Sequence, residues 1–244
     1  MADAPVPLVN TEQMARTLGT LPLVVAIDGP AASGKSTAGQ QLAKRLGYLY
    51  INSGAMYRAA AWRLDKLGVS LDQPERVALA VESMEILYLP PDGAIGARIL
   101  VDGIDVTGKI GTAAVGKWAS AVSAIPAVRR RLVALQQQTG TRGRVVMDGR
   151  DIGSMVFPNA DIKFYLDAGL DIRADRRRRE LLERGEELSH EEVRGQLARR
   201  DHDDRSREDS PLVRTPDACL VDSGEMEQEQ VVDYMIRKMY QRLR

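Results

Sequence analysis

The chain has 244 residues, with 34 Lys and Arg balanced by 34 Asp and Glu, and Cys219 is its single cysteine. That length allows one large domain or two small ones, and the balanced charge leaves no global field to draw in nucleic acid or an anionic membrane. One cysteine excludes an intramolecular disulfide, which suits a reducing cytoplasm, and no apolar run approaches the ~20 residues that span a bilayer. Met1 to Thr20 lacks both the basic and the apolar region of a secretory signal. It reads as an N-terminal extension in which Val9 to Leu18 can form a short helix.

Leu23-Val24-Val25-Ala26-Ile27 is short, apolar and partly β-branched, as a buried parallel strand should be. It runs into Gly29-Pro30-Ala31-Ala32-Ser33-Gly34-Lys35-Ser36-Thr37, which reads G-x-x-x-x-G-K-S. Ser36 to Leu46 follows as a helix, with Leu42, Ala43 and Leu46 giving it one apolar face. Strand, glycine loop and helix in that order are the context of a phosphate-binding loop. Its backbone N–H groups and the positive end of the helix dipole converge on one spot. In that reading Lys35 reaches the β- and γ-phosphates of a nucleotide and the Ser36 hydroxyl binds Mg²⁺.

Gly47 stops the first helix, and Tyr48 to Ile51 reads as a second strand. Ser53 opens a helix that carries Tyr57 and Arg58 and runs to about Gly68, and a further helix spans Asp72 to Val81. The texture then changes. Glu85 to Leu89, Ala97 to Val101 and Ile104 to Val106 are separated by turn signals at Pro90-Pro91-Asp92-Gly93 and Asp102-Gly103, as in a small antiparallel meander. Helices are expected at Thr112 to Ala124 and from Pro126 to about Gln138. Core strands follow at Arg144 to Asp148, Asp161 to Leu166 and Ala218 to Asp222, where Cys219 reads as a buried core residue. A charged helical stretch fills Asp171 to Arg207, and a closing helix fills Glu225 to Leu243. Strands alternating with helices mean a parallel sheet with right-handed crossovers.

Ligands of such sheets bind at the carboxyl ends of the strands. Besides the loop, those ends offer Ser53 and Arg58 after the second strand and Asp148-Gly149-Arg150-Asp151 after the third. Asp148 is placed to hold a water of a Mg²⁺ shell. Arg173 to Arg207 contains eleven arginines, ten Asp and Glu, and no lysine. That mixed field disfavours a duplex-binding stripe, while the planar guanidinium suits bidentate phosphate contacts. On a helix, Arg200, Asp204 and Arg207 share one face; spacing alone leaves open whether they form a surface ion-pair ladder or a ribose and phosphate site. No His/Cys/Asp cluster has structural-zinc spacing, and there is no Asn-Lys-x-Asp base-reading motif. Phosphoryl transfer to a small phosphorylated acceptor fits best. Such an acceptor is already ionised and needs no general base, and the arginine-rich segment before Gly185 can close as a lid.

Four stretches resemble the bacterial cytidylate kinase family, a group of nucleoside monophosphate kinases: Ile27 to Thr37, Asn52-Ser53-Gly54-Ala55-Met56-Tyr57-Arg58, Met147-Asp148-Gly149-Arg150-Asp151-Ile152-Gly153, and Arg200 to Arg207. The likeness runs from Leu21 to the C-terminus. It implies a P-loop α/β/α fold with a five-stranded parallel core sheet (21–52, 140–168 and 208–244). It also implies a monophosphate-binding domain with the antiparallel insert (about 53–139) and a helical lid (about 169–207). The implied reaction is ATP + CMP or dCMP giving ADP and CDP or dCDP, with Mg²⁺ at Ser36 and Asp148. The resemblance places Ser120, Arg129 and Asp151 on the cytosine ring, and Arg58, Arg150 and Arg207 on the acceptor phosphate. Arg200 and Asp204 fall on the ribose, and Ser53 and Tyr57 beside the acceptor. The resemblance makes Lys35, Arg150, Arg176 and Arg207 the catalytic residues, with Arg176 and the neighbouring lid arginines meeting the transferring phosphate or the adenine. Residues 29–37 hold ATP, and a cytoplasmic monomer is expected. This chain departs from the pattern at Asn52, where the family has aspartate, and at Gly111, where it often has arginine. A kinase for UMP and a nucleotide-dependent switch are the competing readings.

Overall fold

The computed structural model describes residues 10–89 and 97–243. The expected turn at Pro90 to Gly93 and the Val9 helix start lie outside them. The chain opens with α1 (Thr11–Gly19), β1 (Val24–Asp28), α2 (Lys35–Leu46), β2 (Leu49–Asn52), α3 (Ser53–Lys66) and α4 (Pro74–Glu82). The meander is β3 (Ile86–Leu89), β4 (Arg98–Val101) and β5 (Ile104–Asp105), followed by α5 (Ala113–Ser123), α6 (Pro126–Gly140) and β6 (Val145–Gly149). After a π-helical turn at Ile152–Val156 come β7 (Ile162–Asp167), α7 (Leu170–Leu182), α8 (His190–Ser206), β8 (Cys219–Asp222) and α9 (Gln228–Arg242).

Five strands form one parallel sheet in the order β2-β6-β1-β7-β8, and β3-β4-β5 form a separate antiparallel sheet. The period of two along each strand splits the core. Ala26 and Met147 face the layer that holds Ala59, Leu64, Val128 and Leu132, whereas Val25, Ile27 and Val146 face Leu42, Leu46, Met235 and Ile236. Because both faces are covered, β1 reads as a continuous apolar run rather than an alternating one. The register sets Asn52 beside Asp148 and Asp28 beside Gly149. The carboxyl ends of three adjacent strands therefore deliver their following residues to one edge.

Helix α1 belongs to the second layer. Ala15 and Leu18 are buried against α2 and α9, and the Tyr48 hydroxyl donates to the Leu18 carbonyl at 2.8 Å. The charged stretch at 171–207 is two helices. The chain leaves α7 through Gly185, whose φ of +78° is left-handed. It restarts at Ser189, where the Ser189 and Glu192 side chains and backbone N–H groups cap each other reciprocally. The thiol of Cys219 is only half-buried, because β8 is an edge strand, so the expectation of a core cysteine is corrected. No helix among the described residues is long and apolar enough to cross a membrane.

Candidate active site

The phosphate loop is built on a conformation that its residue types dictate. Gly29 has φ of +152°, and a Cβ there would lie 2.0 Å from the Leu166 carbonyl oxygen of the neighbouring strand. Helix α2 begins after left-handed Gly34 with no side-chain cap, so its first N–H groups stay turned toward the loop. Lys35 is buried, and its Nζ donates to the Pro30 carbonyl at 2.7 Å. Burial, reinforced by Arg150 and Arg200 and opposed by Asp148 and Asp204, pulls its ammonium well below the ordinary lysine range. Those four neighbours show that Lys35 stands where the loop meets the residues after β6 and the α8 face.

Arg176 on α7 flanks the loop. It donates to the Ser223 carbonyl at 2.6 Å and the Ser223 hydroxyl at 3.2 Å, and its Nη1 would lie 3.8 Å from a Cβ on Gly34. Ser223 in turn donates to the Ser33 carbonyl at 2.8 Å. Thr37 sits half-buried in the first turn of α2.

Asp148 ends β6 beside the loop. Its carboxylate accepts from the Ser36 hydroxyl at 2.8 Å, the Tyr50 hydroxyl at 2.8 Å and Asn52 Nδ2 at 3.1 Å. Burial and the adjacent Asp148 push the Tyr50 phenol upward. Asn52 works at both ends: its Oδ1 accepts from the Ala55 N–H at 2.7 Å, capping α3, while its Nδ2 donates to Asp148. An ionised aspartate could form the cap but could not donate to Asp148. That is the physical meaning of the departure at this position. Ser36 and Asp148 together present hard oxygen donors of the kind that Mg²⁺ takes.

The acceptor candidates gather on the other side. The Asp204 carboxylate, almost fully enclosed, accepts from Arg150 Nε at 2.7 Å and Arg207 Nη2 at 2.6 Å. Burial pushes its pKa up, but Arg150 and Arg207 outweigh it and hold the carboxyl below the usual range. Arg200, one turn earlier on α8, lies in the field of Arg150, Asp204 and Arg58. Arg58 approaches Asn52 Oδ1 at 3.5 Å, and the Tyr88 hydroxyl of the meander donates to the Asn52 carbonyl at 2.7 Å. A second buried pair joins Arg129 to Asp151. Arg129 also donates to the Ser123 carbonyl at 3.2 Å and stacks 5.6 Å over the Tyr57 ring. The Tyr57 hydroxyl and Arg129 Nε are buried without a protein partner. Next to them opens a cavity of about 380 Å³ lined by Ser123, Ala124, Pro126, Arg129, Arg207, Glu208 and Asp209. Its size suits a small ligand.

Two expected residues stand apart. Ser53 is buried against Gly149, where a Cβ would lie 2.5 Å from its Oγ. Ser120 is exposed one turn before the cavity, does not line it, and only accepts through its carbonyl from the cavity-lining Ser123 hydroxyl at 2.8 Å.

Residues 25–241 match the family model described as cytidylate kinase. The chain belongs to the cytidylate kinase family. It is 44% identical over 222 residues to the cytidylate kinase of Symbiobacterium thermophilum, covering 91% of this chain and 97% of that one. It is 43% identical over 214 residues to the cytidylate kinase of Desulfitobacterium hafniense, covering 88% and 91%. The cytidylate kinase of Pelotomaculum thermopropionicum is 44% identical over 216 residues, covering 88% and 95%.

In this cytidylate kinase family member, two sets of contacts around the loop escape a sequence reading. Asp28, just before the loop, accepts from the Ile152 and Gly153 N–H groups at 2.8 and 2.7 Å. It thereby heads the π-helical turn that follows Arg150 and Asp151. Burial is the main cause that pushes its carboxyl up to about 7. The second set is the buried Arg173–Asp201 pair at 2.6 Å, which reaches the loop at Ala31. Asp28 stood directly before a motif already assigned to phosphate. Arg173 and Asp201 were two of many charges in a mixed field, and no spacing rule links residues on different helices.

Proposed function

We propose that the two clusters are the donor and acceptor halves of one crevice, in which the γ-phosphoryl group of ATP passes to CMP or dCMP. The observation that carries this reading is Lys35: the one buried lysine of the loop lies in the joint field of Asp148, Arg150, Arg200 and Asp204. A phosphate oxygen of CMP forms the new bond to the γ-phosphorus, the bond from that phosphorus to the bridging oxygen breaks, and ADP leaves with the electron pair. The attacking oxygen is already ionised, so catalysis is positioning and charge neutralisation. Lys35 and Arg176 serve the donor side, and Arg58, Arg150 and Arg207 the acceptor phosphate. Ser36 and Asp148 would hold Mg²⁺, which supplies further neutralisation of the phosphates.

Asp204 neutralises Arg150 and Arg207; a phosphate can take over those guanidinium groups and turn the carboxylate to the ribose. Arg129 and Asp151 offer a donor and an acceptor side by side, matching the carbonyl and amino edges of cytosine and opposing uracil.

A coupled ADP-release assay with CMP, dCMP, UMP and AMP tests the reading. Turnover with CMP and dCMP well above UMP and AMP is expected. No turnover with any acceptor sinks the kinase assignment, and a preference for UMP sinks the base assignment.

A further inference from the structure

Ala31 is held at both ends of its own backbone. Its N–H donates to Asp201 Oδ1 at 3.3 Å, and its carbonyl accepts from Arg173 Nη1 at 3.0 Å. The two side chains form a buried ion pair at 2.6 Å, and Arg173 Nε also donates to the Ala168 carbonyl at 2.9 Å, next to the end of β7. Arg173 comes from α7 and Asp201 from α8, so both charged helices close on one residue of the phosphate loop. Ala31 belongs to one buried apolar cluster with Ala174, Leu181, Val193 and Leu197 of the same two helices.

The next residue shows what the contact controls. Ala32 has φ of +58°, a left-handed conformation that costs an alanine about 1–2 kcal/mol. The Ala31 carbonyl lies in the peptide plane that sets this φ. Arg173 holds that plane, and with it the direction of the Ala32 N–H. Asp201 is one residue after Arg200 and one turn before Asp204. Its side chain faces the donor loop while its helix carries the acceptor residues.

We propose that Arg173 and Asp201 are positioning residues that couple the two substrates: the phosphate loop cannot settle around ATP without fixing the register of the acceptor face of α8. Neither residue touches a substrate. The coupling is reciprocal, as binding linkage requires, so CMP tightens ATP by the same factor by which ATP tightens CMP. The proposal rests on the assignment of Arg200 and Asp204 to the acceptor.

The test is calorimetric titration of CMP into the whole protein, with and without a saturating non-hydrolysable ATP analogue and Mg²⁺. Two variants are compared with the parent. Asp201→Asn keeps the size and removes the charge. Because it strands a buried arginine, a double variant, R173M/D201L, replaces the pair by apolar side chains, an exchange that proteins often tolerate. The parent is expected to bind CMP at least about fivefold tighter with the analogue, the low end of usual coupling. In the variants that factor should fall toward one, while CMP affinity without analogue stays within about twofold. Equal coupling in parent and variants overturns the proposal, and so does a parent without coupling. A parallel loss of both affinities with the melting temperature also overturns it, because that is a merely structural role. Asp204→Ala separates the underlying assignment: if it leaves CMP affinity intact, the acceptor map is wrong; if it weakens CMP while Asp201→Asn leaves coupling untouched, only the clasp is wrong.

Discussion

Replacing Asp204 by alanine removes one carboxylate that two guanidinium groups share, Arg150 at 2.7 Å and Arg207 at 2.6 Å. With Arg200 and Lys35 in the same field, the variant faces four cations without their counter-charge. When CMP binds, its phosphate restores that charge, so the arginine contacts survive. What is lost is the charged acceptor for the ribose hydroxyls. A hydrogen bond to a charged group is worth about 1.5–3 kcal/mol, and two of them, less the relief of arginine repulsion, leave about 3 kcal/mol. At 1.36 kcal/mol per tenfold, kcat/KM for CMP should fall on the order of 100-fold. In this reading ATP does not contact Asp204, and its KM should move by less than about threefold. Asp204→Asn, which keeps an acceptor oxygen but not the charge, should lie between. The assay is steady-state ADP release with each substrate varied in turn, paired with thermal melting. Inorganic phosphate should raise the melting temperature of Asp204→Ala more than that of the parent. Equal factors lost for ATP and CMP would refute the ribose role.

Lys35→Ala should cut kcat by about 10²–10³, the scale of losing one transition-state donor. Its melting temperature should hold or rise, because the buried ammonium sits beside other cations; near-normal kcat would contradict the assignment. Asp28 predicts opposite pH trends for stability and turnover. Its folded pKa of about 7 lies above its ordinary 3.8, so its contribution to stability is fully present below about pH 4 and is lost as pH rises through 7. Turnover needs the ionised form, since both Oδ atoms accept N–H bonds, and should fall as pH drops below 7. Melting and kcat/KM profiles between pH 5 and 8 check both, and parallel trends would exclude Asp28 as the cause. Leu18→Ala should cost about 3 kcal/mol of stability, as for other enclosed leucines, and leave kcat unchanged; denaturant unfolding and the ADP assay measure the two.

The alternation of strands and helices was legible because each period is local: two for β1 and β6, 3.6 for α2 and α9. The phosphate loop was legible because Gly29, Gly34 and Lys35 are required by a backbone path and a charge, which any sequence must spell out the same way. Arg200, Asp204 and Arg207 could be placed on one face but not given partners. Only the fold brings Arg150, from a strand end about fifty residues earlier, onto Asp204. The π-helical turn was invisible because it is one turn long and is nucleated by Asp28 across the sheet rather than by its own sequence. The charged region was readable as a pair of helices, and the structure ends α7 before Gly185 and starts α8 after Ser189.

The molecule as a whole is neutral, with 34 positive and 34 negative side chains, while Arg200 lies in the fields of Arg150 and Arg58, and Lys35 in those of Arg150 and Arg200. At physiological ionic strength a field outside the surface dies within about 8 Å, but low-dielectric walls focus it inside a cleft. In the proposed crevice, a mononucleotide would meet more concentrated positive potential than the neutral surface offers. Salt should thus slow capture only over the last few ångströms of approach.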